Sequence, residues 1–549
     1  MRFPPSNAGS AAAALVLAAL LTACGRPPSD DPELVLTGGL IYPLGADERP
    51  VTALAIRGDR VLALGSNAEV MQLAGRYTQQ MNLEEAAVLP GAYDAWVDLE
   101  ALGRWIDAEL DVRLASTVEE AQAMVRNAAG GAGGADDWLL GWGWDENDWP
   151  DGALPDRAAL DAVGVDRPVA LLHRTGRAAW LNGAALRALA GELDALDGVP
   201  RDASGQPTGI LIGEAVGALD GVLAAGDRQR QAWLAEGARR AAASGITRAA
   251  TAPVDTATLE ALLELEFRGL LPLRVDARLA AEAVAGYTGS RLAARVGDSA
   301  LVRVVAVGAR LDGPIASHLA ALSEPYADGT PAPPFDAEAL RAGAAAARTA
   351  FLPLHVQASG DAAVAAALEE IAALQPVEGV VVGLDLLPAE LQGDLSRVRV
   401  AIAPARFARD VYGLDRVLGP ERAARAHPWA DLAARGLTLR LASDAPAYPL
   451  RPLAAVATAM SRQDAEGYPA GGWHAVQGLP RERLLRALVG EAAGMAPGAP
   501  ADLVVWSEDP LAGDEPLLRR AEALLTIVAG RVAYSRALVQ LPMSGERRP

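Results

Sequence analysis

The sequence is poor in the residues that build disulfide frameworks, nucleic-acid surfaces and histidine-rich metal centres. Its 549 residues include one cysteine and five histidines. One cysteine excludes a disulfide within the chain, and five histidines are few for an enzyme that holds two metal ions. The formal net charge is −20 and no basic run offsets it. Nucleic acid is therefore a poor partner, because phosphate binding needs clustered Lys or Arg.

Long apolar runs are also scarce, and the run near the N-terminus has the length expected of a signal peptide. Ala11 to Leu21 is apolar but too short to cross a bilayer as a helix. The tetrapeptide Leu21-Thr22-Ala23-Cys24 resembles a bacterial lipobox, whose cysteine is lipidated and becomes the first mature residue. The pattern predicts a signal peptide over residues 1–23 and a lipid on Cys24. An ordinary secretory signal with an incidental cysteine is the alternative.

A lipidated chain would lie on a membrane without crossing it, because no later apolar run is long enough to span a bilayer. Gly25, directly after the cysteine, favours the periplasmic face of the outer membrane where a cell has two membranes. Residues 24–32 are polar and contain proline, so we expect a tether between the lipid and the fold.

The remaining chain has enough apolar residues for a large core. Hydrophobic residues make up 51% and charged residues 21%, which indicates a globular protein. Short strands with turn signals in residues 33–88 have counterparts in residues 495–545, which predicts one small β-domain built from both chain ends. Residues 89–494 alternate strand-like runs with helical segments, as in a parallel barrel. The strand candidates in this region include residues 168–172, 301–307, 380–382, 398–403 and 437–442.

A series of motifs follows one another in a characteristic order. The motifs are Val88 to Leu99 with its Pro-Gly pair, Gly141-Trp142-Gly143-Trp144-Asp145-Glu146, Gly176 to Asn182, Gly205 to Leu211, Ser443-Asp444-Ala445-Pro446 and Pro500 to Val505. Together they resemble the amidohydrolase superfamily, and within it the third amidohydrolase family, over nearly all of the mature chain. The resemblance implies an α/β fold with a (β/α)₈-like TIM barrel beside a small β-sandwich. It also implies hydrolysis of carbon–nitrogen bonds other than peptide bonds, assisted by one or two zinc-like ions.

The resemblance also shows which metal ligands are missing. Trp96 and Asp98 stand where the family has two histidines after the first strand, and Gly308 stands where it has a bridging lysine. Gln357 and Gly383 stand at two further histidine positions. The family implies a divalent metal, but the sequence offers no complete set of ligands for one. No cofactor is therefore assigned.

One acidic position of the family is retained. Asp444 follows the last strand, where the family has an aspartate that binds metal and moves a proton, so Asp444 is the predicted catalytic residue. Asp98 and Asp444 are the remaining candidates for metal ligands. A wider carboxylate site with Asp312, Asp361 and Asp385 is possible, and the alternative is that these residues are turns and caps.

The histidines of the chain do not restore the site. None of His173, His318, His355, His427 and His474 stands at an expected ligand position. Strand alternation directs His355 the same way as Gln357 but deeper into the barrel, where a hydrogen-bonded core histidine is expected. His427 and His474 have the surroundings of loop residues.

Four residues are predicted to contact a substrate or ligand. If Trp96 points into the barrel mouth, its ring fills the volume that the metal and its bound water occupy in the family. The alternative is that Trp96 packs as an ordinary core residue. Trp144, with Trp142 and Trp149, forms either a lid or a structural aromatic cluster. Arg177 replaces a family histidine and pairs with an anionic ligand or an internal carboxylate. Gln357 is the fourth.

Two functions remain open from the sequence. The first is a lipid-anchored hydrolase that acts on a small molecule through a remodelled site. The second is a non-catalytic envelope lipoprotein that binds a ligand or a partner. Replacing imidazole by Gly or Trp removes the electron-pair donors of a metal, so the residues themselves favour impaired or absent hydrolysis.

Overall fold

The computed structural model describes residues 30–45, 49–106, 110–130, 137–150, 152–194, 196–288, 290–374, 378–390, 395–490 and 494–536. The predicted signal peptide and Cys24 lie outside these residues. Within the described ranges, no helix is long and apolar enough to cross a membrane.

An eight-stranded parallel sheet forms the centre of the molecule and confirms the predicted barrel. Its strands, in chain order and in spatial order, are β1 Ala92–Val97, β2 Ile246–Val254, β3 Arg274–Leu279, β4 Val302–Arg310, β5 Leu354–Ala358, β6 Gly379–Gly383, β7 Val398–Ile402 and β8 Thr438–Leu441. A parallel bridge between Val97 and Ala445 brings the two edge strands together. The N–H of Asp98 donates to the Ala445 carbonyl at 2.9 Å, which places β8 beside β1.

Helices cover the outside of the barrel, so its strands are apolar on both faces. The helices of the described residues, including those that pack on the other sheets, are Asn67–Met71, Leu99–Ile106, Val118–Ala129, Arg157–Asp161, Gly183–Ala188, Ala190–Leu193, Asp220–Leu223, Asp227–Ala243, Thr256–Phe267, Ala283–Tyr287, Arg291–Asp298, Ala337–Ala350, Asp361–Ala373, Pro404–Asp410, Leu414–Leu418, Pro420–Ala423, Trp429–Ala434, Pro452–Ser461, Arg481–Val489 and Glu515–Arg520. Short 3₁₀ turns occupy Glu146–Asp148, Gly213–Leu219 and Ala475–Gln477.

Both chain ends contribute to one β-sheet. Its strands are, in spatial order, Leu40–Ile41, Ala87–Pro90, Leu503–Trp506, Ala523–Val528 and Arg531–Ser535. A second sheet contains Arg60–Gly65, Ala53–Arg57, Leu34–Thr37 and Gln79–Asn82. Ile41, Leu54, Val88, Leu503 and Ile527 are buried in a shared apolar core of the two sheets. The domain boundaries drawn from the sequence stay a prediction.

The segment between β1 and β2 forms a separate five-stranded sheet, which we call the insertion sheet. Its strands are Leu110–Asp111, Leu139–Trp144, Val169–His173, Ala178–Leu181 and Ile210–Ile212. The assignment of residues 168–172 to the barrel is therefore wrong. Val169–His173 pairs in parallel with Leu139–Trp144 and antiparallel with Ala178–Leu181. An apolar run predicts a buried strand, but it does not say which sheet the strand joins.

Two barrel helices approach each other so closely that glycine is required at their crossing. Gly103 in Leu99–Ile106 and Gly237 in Asp227–Ala243 face one another, and a Cβ on Gly103 would overlap the backbone carbonyl of Trp233. A methyl group there would push the two helix backbones apart.

We predict that Gly103→Ala lowers the free energy of unfolding by about 3 kcal/mol, because the added carbon meets backbone and not a movable side chain. Denaturant unfolding measures the change. Gly297→Ala is the matched control, since Gly297 also lies in a helix but a Cβ there meets nothing within 4 Å. We expect the control to be stabilised by at most about 1 kcal/mol. Equal losses in the two variants would contradict the close helix crossing.

Candidate active site at the barrel mouth

Trp96 lies inside the barrel and packs against an arginine. Its side chain is fully buried, and the guanidinium of Arg278 lies over its ring at 4.9 Å from the centroid. Arg278 donates to the carbonyls of Ala95 and Thr251, each at 2.7 Å, and to Nδ1 of His355 at 2.9 Å. This packed environment corresponds to the second role suggested for Trp96, which is ordinary packing.

His355 is a hydrogen-bonded residue of the barrel interior, as predicted. Because its Nδ1 accepts a hydrogen bond from Arg278, the ring is neutral and carries its proton on Nε2. Burial and the charge of Arg278 both hold the pKa of His355 well below its ordinary value. His355 therefore serves as a partner for the buried guanidinium.

The position of the family's bridging lysine has no room for a side chain. A Cβ on Gly308 would lie 2.9 Å from the ring Cγ of Pro253 and 3.2 Å from Cβ of Arg278. The chain contains no lysine at all, so no neighbouring position could supply this group.

The position of the family's second interior histidine is also filled by an arginine. A Cβ on Gly383 would lie 3.1 Å from Nη1 of Arg406 and 2.8 Å from the Ala358 carbonyl. The φ angle of Gly383 is +98°, a conformation that side chains rarely adopt. Arg406 belongs to helix Pro404–Asp410, which follows β7.

The Arg406 guanidinium holds the carboxyl ends of β5, β6 and β8 together. Nη1 donates to Asp385 Oδ2 at 2.6 Å and to Ser359 Oγ at 2.8 Å, while Nη2 donates to Asp444 Oδ2 at 2.5 Å. Arg406 and Asp385 are each 1% exposed. Asp444, the predicted catalytic residue, is therefore engaged in an internal ion pair.

Electrostatics keep this ion-pair cluster charged. Burial opposes the charge on Arg406, but Asp385 and Asp444 outweigh it and raise the pKa of Arg406 well above its ordinary value. Burial likewise opposes ionisation of Asp385, yet Arg406 and His427 lower its pKa. The mouth thus contains a permanent cation with two carboxylates around it.

His427 is a buried neighbour of this cluster, although it is in a loop as the sequence indicates. Its Nδ1 lies 3.4 Å from Asp385 Oδ1 and its Nε2 lies 4.0 Å from Asp410 Oδ2. Burial lowers the pKa of His427 and raises that of Asp410 well above its ordinary value. Both residues therefore favour their neutral forms.

Asp98, the other metal candidate, caps a helix. Its Oδ1 accepts the N–H of Ala101 at 2.8 Å, at the start of Leu99–Ile106. Asp312 accepts three backbone N–H groups from Ala321, Ser359 and Gly360. The alternative that the acidic residues are turns and caps describes these two correctly.

The other predicted ligand contacts lie apart from one another. The Gln357 amide donates to Ser359 Oγ at 3.3 Å, beside Arg406. Arg177 lies beside Asp312 and lowers the pKa of that carboxyl, although burial outweighs this effect and raises the pKa of Asp312 to about 6. This position corresponds to the internal pairing considered for Arg177. A binding role for either residue stays a prediction.

The three tryptophans of the Gly-Trp-Gly-Trp motif do not share one surface. Trp144 packs with Trp149 and Trp180 in a buried aromatic cluster on one face of the insertion sheet. Trp142 points to the other face, where it stacks on Trp105 at 5.3 Å. Trp142 and Trp144 are two residues apart and would share a face of a regular strand, but the strand register shifts between them, at Gly143 with its φ of +102°, and they lie on opposite faces. The three side chains therefore do not form a single lid.

The sequence reasoning missed a charged cluster at the end of the same motif. Asp145, Glu146 and His173 place three potential ligand atoms within 4.8 Å of one another, and all three residues are buried. Arg174 and Arg409 pair with Asp148, and Arg409 connects this cluster to the helix that carries Arg406. The adjacent Asp145-Glu146 pair was the available sequence signal, but its partner lies 27 residues further on.

A cavity of about 320 Å³ lies at the carboxyl ends of β1, β2 and β3. Its lining includes the apolar residues Leu99, Leu234 and Leu262 and the charged residues Asp98, Glu100, Arg104, Arg230, Asp255 and Glu282. The Arg406 cluster lies at the ends of β5, β6 and β8, and its residues do not line this cavity.

Comparison with known proteins yields a consistent set of relatives. The model of the third amidohydrolase family matches residues 79–534. A putative amidohydrolase of Bacillus subtilis, YtcJ, is 25% identical over 91% of this chain and 99% of its own length. Protein LONG AFTER FAR-RED 3 of Arabidopsis thaliana is 33% identical over 34% of this chain and 32% of its own.

Solved structures show the same fold. An uncharacterised metal-dependent hydrolase of Pyrococcus horikoshii has a TM-score of 0.69 at 22% identity and covers 88% of this chain and 99% of its own. A Xanthomonas campestris adenosine deaminase with bound zinc has a TM-score of 0.51 at 13% identity and covers 92% and 93%. At these identities the likeness establishes the barrel architecture alone.

We predict that Arg406→Met destabilises the protein by about 3–5 kcal/mol, because it leaves Asp385 and Asp444 without their partner. Chemical denaturation measures this loss. The exposed Arg435→Met is the matched control and should change stability by no more than about 0.5 kcal/mol. Adding Asp385→Asn and Asp444→Asn to Arg406→Met should recover part of the loss. No recovery would mean that packing, and not charge, accounts for the effect.

Proposed function

The chain belongs to the amidohydrolase family, and we propose that it is a divergent, envelope-anchored member in which a buried arginine replaces the barrel metal. On this proposal the protein does not carry out metal-assisted hydrolysis and instead binds a small molecule or a partner at the barrel mouth. The observation that carries the proposal is the Arg406 guanidinium, bound by Asp385, Asp444 and Ser359 next to Gly383.

The family's chemistry depends on electron-pair donors that this barrel lacks. A catalytic metal lowers the pKa of its bound water and polarises the scissile carbonyl, and both effects need imidazole or carboxylate ligands. Trp96, Gly308 and Gly383 supply none. Side chains of the chain itself occupy the adjoining space, so the residues present do not fit the family's ion.

The retained acidic residue is also unsuited to its family role. A guanidinium and a divalent ion compete for the same carboxylate oxygens, and Asp444 is already paired with Arg406 at 2.5 Å. Asp98 is separately engaged at a helix N-terminus. Both carboxylates are therefore engaged in structural contacts.

The cavity beside β1–β3 supports a binding role. Its volume of about 320 Å³ suits a small ligand. Glu100 accepts from Thr258 Oγ1 at 3.0 Å and pairs with Arg230 at 3.4 Å, so part of the charged lining is fixed in place. Ligands of parallel barrels bind at the carboxyl ends of the strands, where this cavity lies.

We predict that the barrel binds no metal ion and that the protein shows no hydrolytic activity. The full chain carrying Cys24→Ser should show no ion that depends on Asp444 after incubation with Zn²⁺ or Mn²⁺, as measured by elemental mass spectrometry. Its hydrolysis of N-acyl and cyclic amide substrates should equal that of Asp444→Ala. The proposal would be contradicted if the parent protein bound one ion per chain and hydrolysed amides, and if Asp444→Ala lost both properties. The protein would then be an active hydrolase.

We predict that Cys24 carries the membrane anchor. The wild-type protein should fractionate with membranes and Cys24→Ser with the soluble fraction, because one lost acylation site removes the apolar chains that bind the bilayer. Immunoblotting of fractions and intact mass measurement report the result. Membrane association retained by Cys24→Ser would reject the lipid anchor.

A further inference from the structure

The insertion sheet brings an imidazole and two carboxylates together in a buried site away from the barrel's metal position. Nε2 of His173 lies 3.3 Å from Glu146 Oε2 and 3.8 Å from Asp145 Oδ1. The pairing of His173 with Trp144 in neighbouring strands places the histidine beside the turn that begins at Asp145. The His173 side chain is 2% exposed.

The imidazole faces these carboxylates at ion-pair distance, and although burial opposes its charge, they raise the pKa of His173 to about 9. Among the described residues, Nε2 of His173 has no hydrogen-bond partner, although two carboxylate oxygens lie nearby. Ligand atoms that share a tetrahedral zinc ion at about 2.0–2.1 Å lie about 3.3 Å apart. The separation of Nε2 from Glu146 Oε2 matches this spacing, and the orientation is not that of a hydrogen bond.

The surroundings of the site orient its donors. Nδ1 of His173 lies 2.7 Å from Thr175 Oγ1 and accepts the Thr175 backbone N–H at 3.2 Å. Because Nδ1 accepts in this structure, the ring proton lies on Nε2, and metal binding would release that proton so that Nε2 can act as a ligand. The N–H of Asn147 fixes Asp145 Oδ1 at 3.1 Å.

The charge of the cluster also calls for a cation. Three carboxylates, Asp145, Glu146 and Asp148, face two arginines, Arg174 and Arg409. This leaves one negative charge when His173 is neutral. Either a metal ion or a proton on His173 can satisfy the excess.

We propose that Asp145, Glu146 and His173 bind one zinc-like divalent ion. One imidazole and two carboxylates form a donor set typical of zinc-like ions. The ion has a structural role. It fastens the turn Glu146–Asp148 where Arg409 joins that turn to the helix carrying Arg406. The site is independent of the barrel position and of any hydrolytic activity.

The test uses the full chain with Cys24→Ser, stripped with a chelator and titrated with Zn²⁺. We expect one ion per chain by elemental mass spectrometry and a raised thermal midpoint. His173→Gln, which keeps the size and polarity of the side chain, should weaken binding by about 100-fold or more and abolish the thermal shift. Glu146→Gln is a second variant with the same expected loss. Co²⁺ should give visible absorption bands with the parent protein that both variants lack.

Asp444→Ala is the control that separates this site from the barrel, and it should bind the ion as the parent does. A folded parent protein that binds no Zn²⁺ would overturn the proposal and leave His173 as a protonated ion-pair partner. Binding retained in both His173→Gln and Glu146→Gln would overturn it as well. An ion lost only in Asp444→Ala would overturn this proposal and also the metal-free barrel.

Discussion

The ion-pair cluster around Arg406 is the interaction on which the mouth of this barrel depends. One guanidinium joins residues that follow β5, β6 and β8 by hydrogen bonds of 2.5–2.8 Å to Ser359, Asp385 and Asp444. The carboxyl ends of barrel strands otherwise bring acidic groups together without a counter-ion. The Arg406 guanidinium supplies a fixed counter-ion for that arrangement. Removing it would leave two carboxylates unpaired, which is costly for buried charges.

Two arginines pack against the positions where the family's metal ligands are expected. Arg278 packs over Trp96 and beside Gly308, while Arg406 lies against Gly383. Two arginines, with carbonyl, imidazole and carboxylate partners, therefore hold an interior that the family organises around metal. Restoring a single histidine would not rebuild a site, because the incoming side chain would meet a guanidinium that is already bonded.

The sequence predicted the architecture well, because the order of motifs from Val88 to Val505 carries the family and the barrel. The substitution of Trp96 and Gly383 for the family's histidines stays a prediction from the sequence. The side chains that surround these positions could not be predicted. Arg406 is one of 49 basic residues, and nothing local marks it as buried among carboxylates. The strand Val169–His173 was assigned to the wrong sheet because apolar runs do not encode their pairing partners. The Asp145–Glu146–His173 cluster was missed for the same reason.

An anomalous diffraction experiment at the zinc edge on crystals soaked in Zn²⁺ tests the central claim directly, because it locates bound ions and the Arg406 side chain together. The account predicts no anomalous peak between Asp385 and Asp444, with the guanidinium of Arg406 bonded to both. A peak at that position with the Arg406 side chain displaced would contradict it, since the arginine would then be a removable occupant of a functional metal site.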